Sequence, residues 1–174
     1  QDMVLGCYYL TIEEETTQGK AALARFADEQ EVLLAYDVGK IDTRTDVGSK
    51  NHAVPKMGLH TPIEVTVKAW DEAAGEITDQ AVRTTVGRVI FNQALPDRLR
   101  FANKTMNRTA LREIVAECYR LLGPTETAHL VDGIKSVGFH YATRGGMTIA
   151  VDDIAVPAAK GSLLKAADEQ VDAI

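Results

Sequence analysis

The chain has 174 residues, 45% of them hydrophobic, and 25 Asp and Glu against 19 Lys and Arg leave a net charge of −6. That apolar share excludes a disordered polymer, and 13 glycines with 5 prolines fit neither a collagen-like nor a low-complexity class. The apolar stretch from Met3 to Ile12 falls short of the ~20 residues a membrane helix needs and has no basic leader before it, which predicts a cytoplasmic chain with no membrane contact.

Taken in chain order, Gln1 to Leu10 carries apolar residues on every face and predicts a short buried helix. Glu13 to Lys20 is polar and reads as a loop. Asp28 is placed to cap a helix over 28–38 that carries Val32, Leu33, Ala35 and Tyr36, with Gly39 as its stop. Residues 40–58 show no sustained periodicity and contain Gly48, Asn51 and Pro55, so they read as a long loop or an insertion. Ile63, Val65, Val67 and Ala69 then alternate with Glu64, Thr66 and Lys68, a half-buried strand, and a turn at Ala74-Gly75 leads to a second strand at about 81–85. The run Val86 to Asn92 is either strand or a short helix ended by Pro96.

Leu111, Ile114, Val115, Cys118, Tyr119 and Leu122 fall on one helical face, with Asn107 as cap and Gly123-Pro124 as stop. A second helix is expected from Glu126 to Val137, stopping at Gly138, with Phe139 to Thr143 continuing it or packing beside it. Met147, Ile149 and Val151 alternate as a short strand ahead of Pro157. Leu163, Ala167, Val171 and Ile174 form an apolar helical stripe that needs a partner. The class is α+β: an N-terminal half with a β-hairpin, a small helical subdomain, a short strand and the start of a coiled-coil helix. Because Gln1 stands inside an apolar element and Ile174 inside a helical pattern, both ends read as cut.

A search for chemistry returns little. His52, His60, His129 and His140 are scattered, and Cys7 and Cys118 are isolated, which predicts reduced, packed thiols and no zinc site. The carboxylates of Asp152-Asp153 would point to opposite faces of a strand and serve one magnesium ion poorly. Neither Ser49, Ser136 nor Ser162 stands in a nucleophile context, and no phosphate-binding Gly loop is present. Arg144-Gly145-Gly146 reads as a tight turn rather than as a fragment of an RGG segment. Basic residues are spread rather than striped, so the isolated chain lacks the footprint of a phosphate-backbone binder. No catalytic residue and no metal ligand is assigned.

Three blocks, however, resemble the largest (beta-prime) subunit of bacterial DNA-directed RNA polymerase. Gln1-Asp2-Met3-Val4-Leu5-Gly6-Cys7-Tyr8-Tyr9-Leu10-Thr11 is similar to the segment that follows that subunit's catalytic loop. Thr84-Thr85-Val86-Gly87-Arg88-Val89-Ile90-Phe91-Asn92 resembles its next characteristic stretch, and Gly138-Phe139-His140-Tyr141-Ala142-Thr143-Arg144-Gly145-Gly146 with the following Met147 to Asp153 resembles a third, in the same order. Glu31 to Asp37 is similar to an intervening helix. Two departures stand out: residues 42–58 precede Leu59-His60 as an apparent insertion, and Cys7 occupies a position where Leu is expected, a volume-tolerant core change.

The resemblance implies a non-catalytic piece that walls the secondary channel, through which nucleotides enter and backtracked RNA 3′ ends extrude. Residues 1–100 would be a pore-like α+β region with the insertion at about 42–58, residues 101–157 a helical funnel-like region, and residues 158–174 the first arm of the channel-rim coiled coil. The aspartate-rich loop that binds magnesium for nucleotidyl transfer would lie outside this chain, so the isolated chain is expected to be inactive and to hold no cofactor. Gln1 and Asp2 would be nearest the active centre, or would simply start a helix. Arg88 and Arg144 would either face phosphate across the channel or fix subunit contacts. Implied partners are the beta, alpha and omega subunits, DNA and RNA in the whole enzyme alone, and transcription factors that enter the channel. The alternative is a free-standing protein-interaction domain without enzymatic activity. A small nucleotide-binding enzyme would rest only on Arg144 to Gly146 and Asp152-Asp153.

Overall fold

A computed structural model describes residues 1–13, 23–38, 41–42, 57–146 and 159–172. Helix α1 (Asp2–Thr11) forms where a short buried helix is expected, but only one face is buried, with Gly6, Cys7, Leu10 and Thr11 inside and Leu5 and Tyr8 exposed. After strand β1 (Ala24–Phe26), helix α2 (Glu29–Asp37) begins where Asp28 accepts a hydrogen bond from the Glu31 N–H at 2.8 Å. The Glu31 carboxylate accepts in turn from the Ala27 N–H at 2.6 Å, so two backbone donors at the helix start are satisfied reciprocally. All of the expected loop at 13–20 except Glu13, and most of the expected insertion at 42–58, lie outside the described residues. At the ends of that stretch, β2 (Ile41–Asp42) and β3 (Met57–Gly58) pair in parallel.

The alternating segment forms β4 (Pro62–Asp71), which buries Ile63, Val65, Val67 and Ala69. It pairs antiparallel with β5 (Glu76–Thr85) from Pro62↔Thr85 to Asp71↔Glu76, and β1 adds in parallel on the other side, giving the order β1-β4-β5. Gly75 in the turn has φ 69°, a conformation that only glycine adopts freely. The second strand is longer than the expected 81–85. Its first half is exposed and polar, so backbone pairing with β4 holds it where no apolar alternation marks it.

Of the two readings for Val86 to Asn92, the helix is correct: α3 (Val86–Asn92) follows β5 directly, and Thr85 ends the strand and caps the helix by accepting from the Arg88 N–H. A 3-10 turn at Asp97–Leu99 follows Pro96. Helix α4 (Arg108–Gly145) starts at the Asn107 cap and is broken at Gly123 (φ 81°, ψ −175°), with Pro124 opening the second arm where a missing N–H costs nothing. The expected stop at Gly138 does not occur. The second arm runs on to Gly145 and ends at Gly146 with φ 58°. Gly138 is present because a Cβ there would lie 2.5 Å from the Met3 carbonyl oxygen of α1, so it serves a helix crossing rather than a terminus. The expected strand from Met147 to Val151 and the Asp152-Asp153 pair lie outside the described residues. Helix α5 (Lys160–Asp172) covers most of the expected stripe, with Leu164 and Val171 exposed.

One hydrophobic cluster joins these parts, from Cys7 and Leu10 through Val32, Ile63 and Phe91 to Leu111, Leu130 and Tyr141.

Candidate functional site

Helix α1 is wedged between α3 and the second arm of α4. A Cβ on Gly6 would come within 1.8 Å of the Gly138 carbonyl oxygen, and one on Gly87 within 1.8 Å of the Leu10 carbonyl oxygen. Both distances are far below van der Waals contact, so the backbones themselves touch at these crossings and only glycine fits. Further along, Gly145 packs on the Tyr9 ring, which would stand 3.0 Å from an added Cβ.

A polar network closes the same joint. At the end of α1, the Thr11 hydroxyl donates to the Cys7 carbonyl at 2.7 Å and accepts from the Met106 N–H at 2.7 Å. Arg88 on α3 donates from Nε to the Thr11 carbonyl at 3.0 Å, and from Nη1 to Glu13 Oε2 and Asn103 Oδ1, each at 3.2 Å. Asn103 also accepts from the Thr84 hydroxyl at 2.9 Å and donates to the Arg83 carbonyl at 2.8 Å. The last carbonyls of a helix carry partial negative charge and lack intrahelical partners, so a cation at this end satisfies both needs. Asn92 clips the next turn by donating to the Arg88 and Ala102 carbonyls and accepting from the Ala102 N–H. Glu29, also buried, accepts from the Lys68 N–H at 3.1 Å and from Gln93 Nε2 at 2.7 Å, with Arg100 Nη2 at 3.6 Å.

The four residues singled out from the sequence are dispersed over this joint. Gln1 and Asp2 are exposed at the start of α1, where Asp2 lies in the first turn and favours the positive helix end. Arg88 sits at the opposite end of α1 with only 8% of its surface exposed, its guanidinium engaged inside this chain. Arg144 is exposed at the end of α4, its guanidinium 5.9 Å from the centre of the Tyr36 ring. Among the described residues no hydrogen bond or ion pair joins any two of the four. Thr11, Asn92, Asn103 and Glu29 were not anticipated. Thr11 and Asn92 close two of the stretches that carry the resemblance without being singled out there, and nothing in the sequence marks Asn103 or Glu29.

Two buried groups here, a thiol and a phenol, are held protonated. Burial pushes the Cys7 thiol up to about 12, which removes it as a nucleophile. The Tyr141 phenol is raised from its ordinary range, first by burial and then by the neighbouring Tyr36 phenol. Among the described residues no three His, Cys, Asp or Glu side chains converge on a point where a metal ion could bind. No helix among them is long and apolar enough to cross a membrane.

Two depressions flank the joint. A cleft of about 470 Å³ lies between the hairpin tip and α4, where Arg98 stacks over Trp70 at 4.9 Å. A larger groove of about 680 Å³ lies between the two arms of α4 and the start of α1, walled mainly by apolar side chains.

Comparison with known proteins identifies what this architecture belongs to. The DNA-directed RNA polymerase subunit beta' of Desulforamulus reducens is 40% identical over 174 residues, which is 100% of this chain and 12% of that protein. The same subunit of Pelotomaculum thermopropionicum is 38% identical and that of Desulforudis audaxviator 40% identical, again over all of this chain and 13% of each relative. The chain therefore spans only about an eighth of the length of these relatives. The family model described as RNA polymerase Rpb1, domain 3, matches residues 1–154. This chain belongs to the RNA polymerase Rpb1 domain 3 family.

Proposed function

We propose that this chain works as a segment of a DNA-directed RNA polymerase largest subunit, where it forms the wall of the secondary channel and contributes no catalytic group of its own. The observation that carries the reading is convergence. Residues 1–11, 84–92 and 138–146 are distant in sequence, yet α1 packs directly on both α3 and the second arm of α4 through backbone contacts at Gly6, Gly87 and Gly138. The three stretches that resemble the polymerase subunit thus make one rigid unit.

On this reading α1 carries whatever precedes it in the subunit, and Arg88 fixes the far end of α1 from inside. Gln1, Asp2 and Arg144 are the exposed polar groups left to face the channel. On this reading the magnesium that supports nucleotidyl transfer is held by the rest of the subunit, as the resemblance implies. The beta, alpha and omega subunits, together with DNA and RNA, are partners of the whole cytoplasmic enzyme.

The test uses an assembled polymerase whose largest subunit contains this chain. Arg144→Cys, modified with a bulky maleimide, is expected to raise the KM for nucleoside triphosphates several-fold, and Arg88→Cys, if it assembles, to resist labelling. Cys7 and Cys118 are both buried and give little background. An unchanged KM after complete labelling at 144 would refute the channel assignment. The 174-residue chain alone, given template, magnesium and nucleotides, is expected to make no RNA.

A further inference from the structure

The groove between the arms of α4 is not finished as a surface facing water should be. Leu111, Val115 and Tyr119 line one wall at helical spacing, and Val131 with Ile134 lines the other. Tyr119 is 62% exposed and Val131 40% exposed, although both stand beside the buried core. At the rim, Arg108 and Arg112 lie one helical turn apart on the same arm, and among the described residues neither has a carboxylate partner. In a chain of net charge −6, two uncompensated arginines beside an apolar trough are a local reversal of sign.

We propose that this groove seats an acidic amphipathic helix supplied by another part of the same subunit. An apolar trough bordered by one charge recognises a helix that presents apolar residues at i, i+3 or i+4 and i+7, with carboxylates along the side facing the arginines. The source is argued from length, because most of a subunit of this kind lies outside these 174 residues. The proposal rests on the reading of the chain as a largest-subunit segment and adds what covers this face.

The experiment places a photo-crosslinker at position 119 (Tyr119→p-benzoylphenylalanine) in the full subunit within assembled polymerase, and maps the product by mass spectrometry. The expected product joins residue 119 to a helix of the same subunit outside this segment, with Asp or Glu within one turn of the attachment point. Arg108→Glu with Arg112→Glu should lower its yield about tenfold, whereas the double Lys variant should keep most of it. Both arginines are exposed, so the variants should fold, and an unchanged thermal midpoint of the 174-residue chain checks that they do. Attachment to another subunit, to a second copy or to a segment without acidic residues, or no attachment at all, would overturn the proposal. Failure of the unsubstituted subunit to assemble with polymerase would instead overturn the underlying functional reading.

Discussion

The joint around α1 and the groove between the arms of α4 share a helix and differ in how their surfaces are finished. At the joint, backbones touch at Gly6, Gly87 and Gly138, and Arg88 donates to Thr11, Glu13 and Asn103. In the groove, apolar side chains stand exposed beside two arginines that have no carboxylate partner among the described residues. A protein interior satisfies both packing and polar groups, so the joint is complete in itself, whereas the groove has the chemistry of a surface that meets another one. Stability should therefore be concentrated at the joint and association at the groove.

The largest expected effect comes from breaking the joint at its tightest crossings. Gly6→Ala or Gly87→Ala puts a methyl group 1.8 Å from a carbonyl oxygen of the facing helix, and the helices must separate to admit it. Overpacking against backbone should cost about 3 kcal/mol or more, read as a lower denaturant midpoint. Gly133→Ala is the control, because its added Cβ meets the Ala94 methyl at 3.3 Å, a tight contact that a shift of a few tenths of an ångström relieves. It also gains about 1 kcal/mol of helix propensity, so it should be neutral or slightly stabilising. Equal losses at Gly6 and Gly133 would show that helix crossing is not what these glycines serve.

Next in size is Arg88→Met, which removes a buried cation and strands the Thr11 carbonyl. Charged hydrogen bonds of this kind are worth about 1.5–3 kcal/mol, and the loss in midpoint should fall in that range. Arg144→Gln is the matching surface change and should cost no more than about 1 kcal/mol, the scale of an exposed cation–π contact.

These two arginines also mark how far the sequence could be read. Both stand in stretches that resemble the polymerase subunit, and nothing local separates them, yet one is buried and the other exposed. The distinction is tertiary: Arg88 lies one residue beyond Gly87, which sets α3 against the end of α1, a contact no periodicity encodes. Strand β4 was legible because one face is buried and its apolar residues alternate, and the Asp28 and Asn107 caps lie beside the helices they start. The polar first half of β5 was not legible, since pairing rather than burial holds it. Gly138 misled because a glycine required by close helix packing looks in sequence like one that ends a helix. Among the site residues, Glu29 and Asn103 were unreadable because their partners lie on other elements.

Alkaline titration isolates a smaller contribution of the joint. The Cys7 thiol has an ordinary value of 9.0 and is held protonated to about 12 by burial in the fold. Between those limits the unfolded chain has lost a proton that the folded chain keeps. The stabilisation is therefore complete below pH 9 and fades as pH rises through about 12, with a slope of at most about 1.4 kcal/mol per pH unit. Tyr141, also raised, adds a loss of the same sign at higher pH. Cys7→Ala should flatten the first part of the decline when midpoints are compared between pH 8.5 and 10.5. An unchanged slope would mean that the thiol ionises without opening the crossing.

The smallest stability effect should arise in the groove. Tyr119 is 62% exposed, and most surface substitutions stay within about 0.5 kcal/mol, so Tyr119→Ser should leave the midpoint of the 174-residue chain nearly unmoved. Its ring is nevertheless apolar area that water would otherwise cover. If a helix of the same subunit seats here, the same substitution in the full subunit should weaken assembly or heat resistance more than it weakens the isolated chain. The comparison of one variant in two contexts removes the cost of folding from the difference and leaves the contribution of the contact. Equal small effects in both contexts would place Tyr119 on a free surface, and the contrast between a finished joint and an unfinished groove would lose its meaning.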